Sequence, residues 1–206
     1  MENQSLSMVQ YIFGVLVAVL VFLIKEAVTK ALTGLRFRKR LAIDIKVIVD
    51  NYYEHLPTLS SQLEDLHKKV EAMEAGSELT TRVAPIWSNS YSLLDDLYKN
   101  SYQLRPDSFQ EAVRFYDTVG RSDEVRRAYN EHLRDQASTQ NYSLPSLQYL
   151  YSCLVSMRSD YCEMIRCGCD AQKTLAREHR FLRIDTARCS NIQNQILQKE
   201  SNKSSK

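Results

Sequence analysis

The longest regular pattern in this chain is SLPSLQYLYSCLVSMRSDYCEMIRCGCDAQKTLAREHRFLRIDTARCSNIQNQI, residues 143–196. One stripe of positions recurs there at alternating steps of three and four, a heptad repeat typical of packed helices. The stripe comprises Leu147, Leu150, Leu154, Met157, Tyr161, Met164, Gly168, Ala171, Leu175, Glu178, Leu182, Asp185, Cys189, Ile192 and Ile196. It predicts one long C-terminal helix that is capped by Ser143. Because Glu178 and Asp185 interrupt the stripe, this helix is expected to leave the bundle or to bend near Leu175.

The region before this pattern is also predicted to be helical. Glycine and proline are scarce, with five and four in the chain, and there is no Asn-Gly or Asp-Gly hairpin signal. Pro57, Gly76, Pro106 and Gly120 mark the predicted helix ends. The alternating residues 43–49 fit either a strand or a helix, and a helix is favoured because no partner strand is evident. The prediction is an all-α fold, with an antiparallel helical bundle over residues 41–200 and a polar, disordered tail over 201–206.

The N-terminal part of the chain contains its most apolar segment, LSMVQYIFGVLVAVLVFLI, residues 6–24. Nineteen helical residues span about 28 Å, close to the hydrocarbon thickness of a bilayer. A cleaved signal peptide is disfavoured because no basic residue precedes the segment and no small-residue cleavage site follows it. A buried core helix is disfavoured because the segment is apolar on every face. Residues 6–24 are therefore predicted to form a single transmembrane helix.

The charges that flank this segment predict its orientation. Residues 25–40 contain six basic side chains against Glu26 alone, while the whole chain has a formal net charge of +2. The positive-inside bias then leaves residues 1–5 outside the cell membrane and puts the bundle in the cytoplasm. We expect contact with anionic lipid headgroups from Arg36, Arg38, Lys39 and Arg40. Because the rest of the chain is slightly acidic, nucleic-acid binding is not expected.

No catalytic motif is evident, and no catalytic, cofactor-binding or metal-binding residue is predicted. The cluster Cys162, Cys167 and Cys169, with His179 ten residues later, is the closest approach to a metal site. In an unbroken helix Cys167 lies on a different face from Cys169, so the three thiols could converge only if Gly168 broke the helix. We expect reduced packing thiols, and a redox or lipidation role for this cluster stays open.

Three classes of function remain. The first is a membrane-anchored interaction or scaffold protein without catalytic activity, which binds an unidentified protein partner. The second is a membrane-acting effector, of the toxin or antiviral-defence type, whose sensor bundle controls an oligomerising anchor. A membrane-tethered enzyme is the least favoured. Homo-oligomerisation is expected through a small-residue pair in the anchor and through the long heptad stripe, at Gly14, Ala18, Leu154, Tyr161, Gly168 and Ala171.

Overall fold

The computed structural model describes the backbone of residues 2–76, 83–86, 94–136, 142–178, 182 and 184–204, and the side chains of residues 2–10, 12 and 199–204 lie outside the described part. The described residues form α-helices and one short 3-10 turn, without a β-strand, which confirms the predicted all-α class. The helices are α1 (Glu2–Glu74), α2 (Leu94–Lys99), α3 (Pro106–Gln136), α4 (Leu144–Glu178) and α5 (Thr186–Ser204), and the 3-10 turn covers Ser101–Gln103.

The chain divides into two compact units, Met1–Arg40 and Leu41–Lys206. The first unit is helical, and its apolar side chains from Phe13 to Ile24 are exposed. Within the part of the chain that the structure describes, no helix has a stretch both long enough and apolar enough to cross a membrane. The expected transmembrane helix over residues 6–24 is therefore not supported there. The side chains of residues 6–10 and Ile12, which belong to that expectation, lie outside the described residues.

The second unit is a helical bundle in which α4 is the central helix. Cys167, Gly168 and Cys169 are consecutive and all buried, although neighbouring helical residues point about 100° apart. A helix that packs on one side buries only a stripe. Three buried positions in a row therefore require neighbours on several sides of α4.

Side-chain contacts define how the other helices surround α4. The part of α1 from Leu41 runs antiparallel to α4, with Tyr52 against Tyr161 and Glu74 beside Gln148. α3 also runs antiparallel to α4. Its contacts proceed from the Ser108–Glu178 hydrogen bond at 2.5 Å, through Arg121–Glu163 at 3.2 Å, to His132–Ser146 at 2.6 Å. α5 contacts the C-terminal part of α4, where Gln193 donates to Asp170 over 3.0 Å. This arrangement confirms the helical bundle.

The closest approach among these helices is at Gly168. An added Cβ there would lie 2.3 Å from Cγ2 of Val49 on α1 and 2.8 Å from Cε2 of Phe115 on α3. Real Cβ atoms do not come this close to other heavy atoms. Glycine is therefore the residue that lets α1, α3 and α4 meet at this point.

The prediction of one continuous C-terminal helix is wrong, although a break does lie close to the interruption expected near Leu175. α4 ends at Glu178 and α5 begins at Thr186, where Asp185 caps the new helix by accepting a hydrogen bond from the Arg188 amide over 3.2 Å. α5 then packs on α4. The heptad spacing survives the break because Cys189, Ile192 and Ile196 face the same core from a second helix.

Two predicted helix ends are also absent. α1 continues through Pro57, because Leu56 and Leu59 on either side of it are buried and tertiary packing outweighs the lost backbone hydrogen bond. α3 continues through Gly120, which is exposed, and Val119 beside it is buried. The end at Gly76 is confirmed: α1 stops at Glu74, and Gly76 adopts a φ of 85°.

We predict that Gly168→Ala destabilises the bundle by about 1–3 kcal/mol, because Val49 and Phe115 must move to admit the methyl group. Gly120→Ala is the matched control, since no atom lies within 4 Å of a Cβ at that exposed helical position. The control should instead be stabilising by roughly 0.5–1 kcal/mol. Denaturant unfolding of the full chain in detergent, followed by far-UV circular dichroism, measures both. Equal effects of the two substitutions would contradict the close three-helix contact.

Candidate functional site

The residues expected to drive self-association fall into two groups with different surroundings. Gly14 and Ala18 lie in the first unit and are exposed, and nothing lies within 4 Å of a Cβ added at Gly14. The α1 backbone is therefore open to the approach of another helix at this position.

The four residues of the heptad stripe are buried within the chain's own bundle: Leu154, Tyr161, Gly168 and Ala171. The Tyr161 ring packs edge-on against Tyr52, with centroids 4.5 Å apart and an interplanar angle of 82°. Two of these positions, Tyr161 and Gly168, contact α1 and α3 within the chain itself. Binding of a second chain through this stripe stays a prediction.

The basic residues expected to contact lipid lie at the end of the first unit. Arg36, Lys39 and Arg40 are exposed, and Arg38 is half-buried. Four cations within five residues produce a concentrated positive charge. This arrangement suits an anionic surface rather than one small ligand.

The three cysteines that lie close together in the sequence, Cys162, Cys167 and Cys169, do not converge. α4 continues through Gly168, so Cys167 and Cys169 stay on different faces of one helix. All five cysteines are buried free thiols, and His179 lies outside the described residues. Among the described residues, no group of three or more histidine, cysteine, aspartate or glutamate side chains could hold a metal ion.

Cys169 instead contacts Cys189 of α5, a partner that sequence reasoning missed. The two thiols are hydrogen-bonded to each other. Cys189 also donates to Oε1 of Gln172 over 3.0 Å. In the sequence, Cys189 is spaced from Ile192 and Ile196 as residues on one buried helix face are. That spacing predicts burial without identifying the partner helix.

The two thiols differ in pKa because their surroundings differ. The hydrogen bond from Cys169 holds the pKa of the Cys189 thiol below its ordinary value, and the nearby Lys173 ammonium acts in the same direction. The same hydrogen bond, together with burial, raises the pKa of Cys169. Of the two thiols, Cys189 is therefore the one that loses its proton more readily.

A small cavity of about 20 Å³ adjoins Cys189, and Gln172 forms part of its wall. The Nε2 of Gln172 has no hydrogen-bond partner, although Gln172 is only 3% exposed. The cavity also borders the charged residues Lys46, Asp50 and Arg188. Asp50 pairs with both cations, at 2.7 Å to Lys46 and 2.9 Å to Arg188, and thereby links α1 to α5. The volume is sufficient for one molecule of about the size of water.

A second, larger cleft of about 210 Å³ lies between α1, α4 and residues 83–86. Asn130 of α3 fixes its outer wall by binding both backbone groups of Ile86, accepting from the amide over 3.0 Å and donating to the carbonyl over 2.7 Å. The Tyr129 hydroxyl donates to the Ala84 carbonyl over 3.2 Å, and burial raises the pKa of this hydroxyl. The cleft is lined by apolar side chains, uncharged polar side chains and His55. This mixture does not indicate a specific ligand.

No protein-family model, curated protein or solved structure matches this chain.

We predict that Leu154→Ala lowers the free energy of unfolding by about 2–5 kcal/mol, because it leaves a cavity in the core around α4. Val155→Ala, at a neighbouring position that is 43% exposed, is the matched control and should change stability by no more than about 0.5 kcal/mol. Denaturation of the full chain in detergent at two protein concentrations measures both. A midpoint that rises with concentration and loses this dependence in Leu154→Ala would show that the stripe binds a second chain.

Proposed function

We propose that this chain is a membrane-attached helical protein that inserts its N-terminal apolar segment into a bilayer and presents the bundle to protein partners. In this proposal it acts by binding rather than by catalysis. The observation that carries the proposal is the exposure of consecutive apolar side chains along α1: Phe13, Val15, Leu16, Val17, Val19, Leu20, Val21, Phe22, Leu23 and Ile24.

The distribution of these side chains favours lipid over a protein groove. A partner helix or groove covers one face of a helix, and the opposite face then carries polar residues. Here residues 11–24 contain no charged side chain on any face. Full burial of one such large apolar side chain is worth about 1.5–3 kcal/mol. An environment that surrounds the helix buries more of these side chains than a groove does and therefore stabilises the helix more. A bilayer is such an environment.

Several polar side chains next to this segment have partners within α1. Thr29 donates its hydroxyl to the Lys25 carbonyl over 2.8 Å, and Thr33 donates to the Thr29 carbonyl over 2.9 Å. Lys30 pairs with Glu26 over 2.7 Å. Hydroxyls that bond back into their own helix lower the cost of an apolar environment. This supports placing residues 25–40 at the boundary of the bilayer.

The basic cluster orients the proposed anchor. Arg36, Arg38, Lys39 and Arg40 follow the apolar segment and favour a cytoplasmic bundle with residues 1–5 on the other side. Each basic residue near an anionic leaflet adds about 1 kcal/mol of attraction. In this role the cluster both sets the orientation and contacts lipid headgroups.

The second candidate, a membrane-acting effector with an oligomerising anchor, is favoured by one observation, the open helix face at Gly14 and Ala18. Expression in cells separates the two candidates. Growth arrest with loss of membrane potential, abolished by Gly14→Leu, supports the effector. Specific capture of a protein from solubilised membranes without such toxicity supports the interaction protein.

We predict that the full chain floats with phospholipid vesicles in a density gradient, and that three glutamates in the anchor abolish flotation, because ionised side chains in the hydrocarbon are costly. The anchor variant is Leu16→Glu, Leu20→Glu and Leu23→Glu. The matched control places three glutamates at similarly exposed apolar positions of the second unit, Ile43→Glu, Val47→Glu and Leu197→Glu.

The control should float like the unmodified chain. Flotation of the anchor variant, or loss of flotation in both variants, would contradict attachment through this segment. Neutral vesicles in place of anionic ones test the basic cluster separately, since its contribution should disappear with the lipid charge.

We predict that a fusion at the C-terminus reports the cytoplasmic side, because the basic residues follow the apolar segment. A fluorescent-protein fusion should be bright and an alkaline-phosphatase fusion inactive. Substituting Arg36, Arg38, Lys39 and Arg40 together by glutamate should weaken this bias. The reverse pattern in the unmodified chain would overturn the orientation.

A further inference from the structure

The contact between α4 and α5 brings together a pair of thiols with unequal acidities. Cys169 is fully buried and Cys189 is 4% exposed, and the two are hydrogen-bonded. α5 begins only three residues before Cys189, and Asp185 caps its N-terminus. The pair therefore joins the short returning helix to the centre of the bundle.

We propose that Cys169 and Cys189 are a redox pair, in which a hydroperoxide oxidises Cys189 and Cys169 then closes a disulfide between α4 and α5. Two observations carry the proposal: the direct contact of the thiols, and the small cavity beside Cys189 with the unpartnered Nε2 of Gln172 in its wall. The cavity admits a molecule about as small as water, and Gln172 offers it a hydrogen-bond donor.

The chemistry balances in two steps. The Cys189 thiolate attacks one oxygen of hydrogen peroxide, the O–O bond breaks, and the departing hydroxide takes up a proton to become water. Cys189 is then a sulfenic acid. The Cys169 sulfur next attacks the Cys189 sulfur, the S–O bond breaks, and the hydroxyl group leaves as water with the Cys169 proton. Two thiols are oxidised by two electrons in total, and the peroxide is reduced to two waters.

Exposure alone does not select this pair. Cys153 and Cys162 are each 7% exposed, slightly more than Cys189. Burial raises the pKa of Cys153 and outweighs its hydrogen bonds with Tyr149 and Ser152, whereas the hydrogen bond from Cys169 and the Lys173 ammonium lower the pKa of Cys189. Cys153 is therefore an internal comparison with similar access and a less reactive thiol.

The groups around Cys189 come from three helices. Lys46 and Asp50 face the cavity from α1, Gln172 and Lys173 approach from α4, and Asp185 and Arg188 flank it at the start of α5. Lys173 is held in place by a 2.5 Å hydrogen bond to Gln193. These contacts place the Cys189 sulfur, the Lys173 ammonium and the cavity next to one another.

The test uses the full chain in detergent, treated with hydrogen peroxide and then with an alkylating reagent. Trypsin cleaves after Arg166, Lys173, Arg188 and Lys199, so the disulfide links peptide 167–173 to peptide 189–199. Mass spectrometry should find these two peptides joined with the loss of two hydrogen atoms, and dithiothreitol should separate them.

Because peptide 167–173 also contains Cys167, variants assign the bond. Cys167→Ser should retain the linked peptides in full. Cys169→Ser should lose them completely, and its Cys189 sulfenic acid should accumulate and be captured by dimedone on peptide 189–199. Far-UV circular dichroism establishes that each variant is folded. If Cys169→Ser fails to fold, the unmodified chain and Cys167→Ser still decide the assignment.

Three results would overturn the proposal. The first is the absence of linked peptides after peroxide treatment of the folded, unmodified chain. The second is a link that disappears in Cys167→Ser. The third is oxidation of Cys153 ahead of Cys189.

Discussion

The contact of three helices at Gly168 is the constraint on which the bundle depends. With no side chain at this position, Val49 of α1 and Phe115 of α3 both reach the α4 backbone. The neighbouring layers follow from this approach, including the edge-on packing of Tyr52 and Tyr161. The next residue, Cys169, then faces α5. One small residue thus sets the spacing for the apolar core and for the thiol pair.

Local sequence patterns predicted the helical class because apolar spacing and capping are local properties. The steps of three and four from Leu147 to Leu175 became the buried face of α4. Ser143 caps this helix as expected, accepting a hydrogen bond from the Ser146 amide over 3.3 Å. Gly76 ends α1 with a positive φ, as its residue type suggested. Each of these features is decided within a few residues of the chain.

The features that sequence patterns did not predict depend on which distant segments of the chain pack together. The spacing of apolar residues carries no information about these contacts. The steps of three and four continue across the break between Glu178 and Thr186, because buried positions on both sides of it, such as Leu175 and Cys189, face one core. Gly120 and Pro57 break a helix only when packing does not outweigh their local cost. The same limit applies to the candidate site: sequence proximity grouped Cys162, Cys167 and Cys169, whereas folding paired Cys169 with Cys189.

The helices α4 and α5 differ in the free energy needed to detach them from the bundle. α4 is enclosed by helices, while α5 buries a single stripe and adds polar contacts such as Gln193 with Asp170 and Arg188 with Asp50. Contacts of this kind are lost at a lower free energy than those of a central helix. In native-state hydrogen exchange, α5 amides should therefore exchange through a partial opening, and α4 amides only through global unfolding. The fold thus contains a cooperative unit smaller than the whole bundle, whose release uncovers one side of the central helix.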